Sequence, residues 1–213
     1  MDLVTPLATI APGLDSAALT VLAGVDSALS ATQIQRLAGR GSRYGLVLVL
    51  DRLTAHGLVT AIPAARGRLY RLNRDHVLAG AVLAAAQARA EAERRIAAAA
   101  QALTPAPLSV ALYGSVARSD ATPDSDLDLL IIAPGDLDPD GDPWLRQIDE
   151  FERQAQLWTG NAVQSVTVPQ GQLAAMLAAG DPITVEWQRD ARTIAGEDAR
   201  DLIRRAGAAK GTA

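Results

Sequence analysis

Residues 113–132 read YGSVARSDATPDSDLDLLII, and the rest of the chain can be placed outward from them. Gly114-Ser115 closes a short apolar run, LSVALY (108–113); ten residues later Asp126-Leu127-Asp128 opens a second apolar run that continues to Ala133. Both runs read as buried strands, and VARSDAT between them has room for one or two helical turns. Side chains alternate along a strand, so Asp126 and Asp128 share a face while Leu127 points into the core. Two strand residues separate the carboxylates by about 7 Å, which lets both converge on divalent cations. Mg2+ takes oxygen ligands and is held by one or two carboxylates together with substrate phosphates. Glycine before the turn allows close backbone approach, and N–H groups at a helix start bind phosphate oxygens. Paired metals can then activate an attacking oxygen and stabilise a leaving one.

Downstream, GDLDPDGDP (135–143) is a turn-rich acidic loop. WLRQIDEFERQAQLWTG (144–160) is an amphipathic helix stopped by Gly160, NAVQSVTVP (161–169) a strand and GQLAAMLAAG (171–180) a helix. This alternation predicts a mixed α/β layer. Trp144, Trp158 and Trp187 read as core or groove-lining residues.

Upstream, residues 75–103 contain no proline and are rich in alanine, which predicts one linking helix of about eight turns. Pro105 and Pro107 end it. Residues 15–24 predict a helix capped by Asp15 or Ser16 and stopped by Gly24. Ser30 precedes a second helix in which Ile34 and Leu37 share a face. Gly39 and Gly41 break it, and Ser42 caps a third, with Val47, Leu50 and Leu53 at spacing three and Gly57 at its end. LVTAIP and RLYRLN around AARG then predict a hairpin with Arg66 and Arg68 at or beside its tip. Helix, glycine turn, helix and hairpin form a helix-turn-helix outline followed by a wing. His56, at the end of the third helix, reads as a cap or surface residue, and His76 as structural.

The chain has no cysteine and two histidines, which excludes disulfides and thiolate metal sites and argues against zinc. No apolar run approaches the roughly 18 residues that span a membrane, and the N-terminus lacks the basic start of a secretory signal. A cytoplasmic protein is expected. Residues 1–80 carry a net +3 and residues 81–213 a net −7, which suggests different partners for the two parts.

The stretch from Tyr113 to Ile132 resembles the signature of the polymerase-beta-like nucleotidyltransferase superfamily, especially its minimal branch, in which Gly-Ser is followed after ten residues by Asp-x-Asp. The resemblance extends to about residue 196. It implies Mg2+ at Asp126 and Asp128, which would be the catalytic carboxylates, and nucleotide phosphates over Gly114 and Ser115. Arg118 fits the Gly-Ser-x-x-Arg form common there, as a phosphate contact or a surface ion pair, and Ser125 would shape the turn that presents Asp126. In one respect the chain departs from the pattern. Many active members carry a third carboxylate on a later strand, and the comparable position here holds Gln164, which cannot accept a proton as a carboxylate does. Glu186, the nearest acid on a later strand-like stretch, reads more readily as a salt-bridge residue.

Residues 30–73 resemble winged-helix transcriptional regulators. The shared features are the turn at Gly39–Gly41, the Leu-x-x-x-Gly-Leu-Val end of the third helix and a wing ending Tyr-x-Leu-Asn. That resemblance implies double-stranded DNA as partner. Ser42, Arg43 and Tyr44 would enter the major groove, Arg66 and Arg68 would lie on phosphate or in the minor groove, and Arg40 would contact the backbone.

The expected fold is α+β: a winged helix-turn-helix domain over 1–74, a linking helix over 75–104 and a nucleotidyltransferase-like domain over 105–213. The expected protein is a DNA-binding regulator, homodimeric through its alanine-rich helix. It would bind a magnesium nucleoside triphosphate, ATP foremost, and transfer its NMP group to an acceptor that could be a protein. The alternatives are a catalytically inactive nucleotide-sensing regulator and an antitoxin-like partner protein.

Overall fold

Two serines start the helices of the N-terminal region. In the computed structural model, which describes residues 1–65, 67–135 and 137–208, Ser30 Oγ accepts from the Gln33 N–H and Gln33 Oε1 accepts from the Ser30 N–H. This reciprocal capping box opens α2 (Ala31–Ala38). Ser42 Oγ accepts from the Gly45 N–H at 3.0 Å and opens α3 (Arg43–Ala55), which His56 caps at its far end. The preceding helix, α1 (Leu14–Ala23), is capped by Gly13 and stopped by Gly24. The expected caps at Asp15 and Ser16 are therefore corrected: Asp15 is ion-paired with Arg52, and Ser16 Oγ donates back to the Gly13 carbonyl.

A short strand, β1 (Leu29–Ser30), precedes α2; β2 (Val59–Ala64) and β3 (Gly67–Leu72) follow α3 as an antiparallel hairpin. β1 pairs with β3, giving the sheet order β1-β3-β2. Leu22, Ile34, Leu46, Leu50 and Leu72 are fully buried between helices and sheet. Leu37 does not share Ile34's burial: it sits in the last turn of a helix of only eight residues and is 57% exposed. On α3 the deeply buried stripe is Leu46, Leu50 and Leu53, with Val47 at its edge. Arg66 lies outside the described residues.

The expected continuous linking helix is two helices. Residues 75–78 form turns, α4 spans Ala79–Ala86, Gln87 leaves helical geometry at φ −95° and ψ 3°, and α5 spans Ala88–Gln101. Alanine content carries helix propensity through the whole stretch, but tertiary packing overrides it. Val82 belongs to the N-terminal core, whereas Ile96 and Ala100 belong to the C-terminal one. The chain divides into two compact units at Arg89–Ala90, with Met1 and Leu3 grouped with the second.

In the second unit, β4 (Ser109–Tyr113), α6 (Gly114–Arg118) and β5 (Leu127–Ala133) are followed by α7 (Asp142–Thr159), β6 (Val163–Pro169), α8 (Gln170–Ala179), α9 (Pro182–Asp190), β7 (Arg192–Gly196) and α10 (Ala199–Ala208). The sheet order is β6-β5-β4-β7, with β5 and β6 parallel and the other pairs antiparallel. β5 is central and Leu129 to Ala133 are wholly buried. Leu127, Leu129 and Ile131 pack with Ile96, Trp144 and Phe151 on one face. Leu130 and Ile132 pack with Leu173, Trp187 and Leu202 on the other. Each such side chain contributes about 1.5–3 kcal/mol. By alternation, Asp128 shares the second face, the one covered by α8, α9 and α10. Among the described residues, no helix is long and apolar enough to cross a membrane.

Candidate functional site

Gly114 has φ 67°, a left-handed conformation that disfavours any side chain, and a Cβ built there would lie 2.6 Å from Asp128 Oδ2. Glycine is thus required twice over, by the backbone and by the carboxylate that closes on it. The closeness follows from register: Tyr113 pairs with Asp128 across β4 and β5, so the turn after Tyr113 runs past that carboxylate. Ser115 is half-buried in the first turn of α6. Asp128 is in β5 and Asp126 lies just before that strand; both are partly exposed, and Gln164, the neighbour of Asp128 in the sheet, is hydrogen-bonded to Asp126.

Ser125 holds the turn ahead of them. Its Oγ accepts from the Thr122 N–H at 2.8 Å, and its N–H donates to the Thr122 carbonyl at 3.0 Å. Buried Asn161 completes this support: Nδ2 donates to the carbonyls of Ser125, at 3.0 Å, and Pro123, at 3.3 Å. An asparagine directly after the helix-stopping Gly160 was the only sequence sign of that role.

Gln164 stands beside Asp128 in the parallel register of β5 and β6, and its Nε2 donates to Asp126 Oδ2 at 3.0 Å. Its amide therefore occupies a carboxylate oxygen at the position where the resemblance implies a third acid. Glu186 is not on a strand. Asp181 caps α9, Pro182 occupies its first turn, and Thr184, Trp187 and Asp190 are buried at spacing three, a helical stripe. Burial, then the charges of Asp126 and Glu186, push the Asp128 carboxyl above the usual aspartate range, and Arg118 opposes the shift. Burial and the Asp128 charge likewise raise the Tyr113 hydroxyl. Tyr113 meets Trp187 edge to face, with ring centroids 6.3 Å apart, which ties α9 to the site strand. Among the described residues, no group of three or more His, Cys, Asp or Glu is arranged to hold a metal.

Arg118 is ion-paired. Its Nη1 donates to Asp190 Oδ2 at 2.6 Å and its Nε to Asp120 Oδ2 at 3.1 Å. Arg189 Nε and Nη2 also donate to Asp190, each at 2.8 Å. The sequence names no role for Arg189 and Asp190: both fall in the closing stretch of the resemblance, more than sixty residues from the Asp-x-Asp segment.

In the first unit, Ser42 is engaged as the cap of α3, while Arg43 and Tyr44 are exposed in its first turn, Tyr44 at 73%. Arg68 Nη1 donates to Asp51 Oδ1 at 3.2 Å, linking β3 to α3. Ser30, Thr32, Arg43, Asp51, Arg68 and Tyr70 line a concavity of about 650 Å3 there. Arg40 is exposed and engaged with the start of α1: Nη2 donates to Ser16 Oγ at 2.8 Å and to the Gly13 carbonyl at 3.2 Å.

Residues 93–168 match the nucleotidyltransferase domain family. The match runs from α5 through β6 and includes Gly114, Ser115, Asp126, Asp128 and Gln164, so the chain carries a C-terminal nucleotidyltransferase domain. No curated protein and no solved structure matches the chain.

Proposed function

We propose that this chain is a DNA-binding regulator whose nucleotidyltransferase domain binds a magnesium nucleoside triphosphate, ATP foremost, and transfers its NMP group to an acceptor. The observation that carries the reading is the approach of Asp128 to Gly114, with Asp126 beside it through Gln164, inside a domain of that family. Burial first, and then the like charges of Asp126 and Glu186, raise the Asp128 carboxyl, and a divalent cation held by Asp126 and Asp128 would relieve the repulsion between them. The all-oxygen donor pair suits Mg2+. When bound, Mg2+ supplies Lewis-acid stabilisation of phosphate charge. The remaining roles fall to the chain. Gly114 and Ser115 admit the phosphates closely, Arg118 offers them a guanidinium, and Ser125 with Asn161 holds the turn that aims Asp126. An acceptor oxygen forms a bond to the α-phosphorus, the bond from that phosphorus to the bridging oxygen breaks, and pyrophosphate leaves with the electron pair. The acceptor's proton passes to solvent or a nearby base.

DNA binding is supported by the first unit's elements, two capped helices around a glycine turn followed by a hairpin, which resemble a winged helix. Exposed Arg43 and Tyr44 would enter the major groove, with Arg68 on phosphate. A homodimer reading two half-sites is checked by light scattering with and without DNA.

Label transfer tests the reaction. Wild type with α-labelled nucleoside triphosphate, Mg2+ and acceptors from a cell extract should label a protein or another acceptor, and Asp126→Asn, Asp128→Asn should not. A second reading, a non-catalytic nucleotide sensor, is favoured by the Gln164–Asp126 hydrogen bond. Under it, wild type binds Mg-nucleotide without transfer. Absence of both transfer and Mg2+-dependent nucleotide binding would overturn both readings.

A further inference from the structure

The Asp190 side chain is 3% exposed, yet two arginines end on it. Arg118 contributes one contact and Arg189 two, and Arg200 Nη2 donates to the Arg189 carbonyl at 2.9 Å, fixing the backbone from α10. Asp190 and Asp120 together balance the two guanidiniums, and the buried carboxylate presets where those guanidiniums sit. Arg118 spends Nε and Nη1, and Arg189 spends Nε and Nη2. Among the described residues, Nη2 of the first and Nη1 of the second have no hydrogen-bond partner.

The cluster lies on the carboxylate side of the sheet. α9 packs through Trp187 on the face that carries Asp128, Leu130 and Ile132. Arg118 is one helical turn beyond Gly114, on the same side of α6 as the glycine that meets Asp128. The acids facing the cluster are Asp120, hydrogen-bonded to Arg118, and exposed Glu186, one turn before Asp190 on α9. A bound triphosphate has to neutralise charge at both ends: metal and carboxylates serve the reacting phosphate, whereas the departing pyrophosphate needs cations of its own.

We propose that Asp190 is a positioning residue that holds Arg118 and Arg189 as a paired clamp for the terminal phosphates of the nucleotide, with Arg189 the second phosphate-binding arginine of the site. This rests on the nucleotide-binding reading above. The clamp recognises the pyrophosphate part and is indifferent to the base, so it selects triphosphates over monophosphates.

The test is calorimetric titration of the full chain in Mg2+ with the four nucleoside triphosphates, their monophosphates and inorganic tripolyphosphate, alongside thermal melting of each variant. Arg189→Ala changes a side chain that is 60% exposed and should keep the fold. It should weaken triphosphate and tripolyphosphate binding about tenfold while leaving monophosphate binding unchanged; Arg189→Lys should recover part of the loss. Asp190→Asn should lose the same triphosphate-over-monophosphate selectivity; if it melts below the assay temperature, the Arg189 pair decides. Wild-type triphosphate affinity in Arg189→Ala, with binding abolished in Asp126→Asn, overturns the clamp and leaves the nucleotide reading standing. Failure of wild type to bind any of the triphosphates or tripolyphosphate overturns both.

Discussion

Arg68 of the first unit and the Arg118–Arg189 pair of the second are held in opposite ways. In the first, Arg68 pairs with Asp51 where both side chains are about half exposed, at 61% and 47%; such a pair is worth about 0–1 kcal/mol and is screened by salt. In the second, Arg118 and Arg189 end on a carboxylate that water scarcely reaches. An exposed pair is easily exchanged for a DNA phosphate, at little cost to the fold. A buried anchor cannot be exchanged; it fixes the guanidiniums before any ligand arrives. Under the proposed function, the first arrangement would suit a surface that meets a long polyanion, and the second a site that places one phosphate chain against two carboxylates.

The comparison can be broken or sharpened at graded points. The largest effect is expected from Asp128→Asn, which should reduce NMP transfer by about a hundredfold or more with little change in melting temperature; unchanged transfer would take the reaction away from this carboxylate. Gly114→Ala should come next. The added methyl would press on Asp128 Oδ2 at 2.6 Å in a left-handed backbone, costing about 1–2 kcal/mol of stability while reducing Mg2+-dependent nucleotide binding. A variant with wild-type binding would show that the turn does not serve phosphate. Gly196→Ala is the control away from the carboxylates. Its Cβ would lie 2.2 Å from the Leu108 carbonyl oxygen at φ 78°, so chemical denaturation should show a loss of about 2–4 kcal/mol.

Asp190→Asn tests the anchor through pH. The Arg189 and Arg118 guanidiniums, against the opposing effect of burial, hold the Asp190 carboxyl at about 2, below the ordinary aspartate value near 4. A depressed folded-state pKa adds stability that is complete above about pH 4 and is lost as pH falls through about 2. The variant should therefore be less stable than wild type at pH 7, with the gap narrowing between pH 4 and 2. A constant gap over that window would deny the anchor its charge. The smallest effect is expected from Arg68→Ala, within about 0.5 kcal/mol on stability. It should weaken DNA binding similarly across sequences and lower the salt slope by about one; unchanged binding and slope would take the hairpin off the DNA.

Local signals were legible where local rules decide. Ser30 and Ser42 start helices because their hydroxyls satisfy backbone N–H groups three residues on. Gly160 and Gly180 end α7 and α8, and β5 reads as a strand because four consecutive aliphatic residues, Leu129 to Ile132, must all be covered. The stretch 75–103 was not legible as two helices, because alanine favours helix throughout and the break at Gln87 follows from which core claims each half. Glu186 was misplaced on a strand because Ile183, Val185 and Trp187 also alternate, and the choice of helix rests on what Thr184, Trp187 and Asp190 bury against.

The sequence alone determined the carboxylate pair, the glycine that admits it and the ten-residue spacing between them, since alternation along a strand and the conformational freedom of glycine act over a few residues. Only the tertiary structure decided that Gln164 would bond Asp126, that Asn161 would hold the turn and that Asp190 would gather Arg118 and Arg189. Those pairings join residues 36 to 72 positions apart, apart from the adjacent Arg189–Asp190 contact. Strand register and the packing of α9 on the sheet bring them together, and neither is written in any one segment.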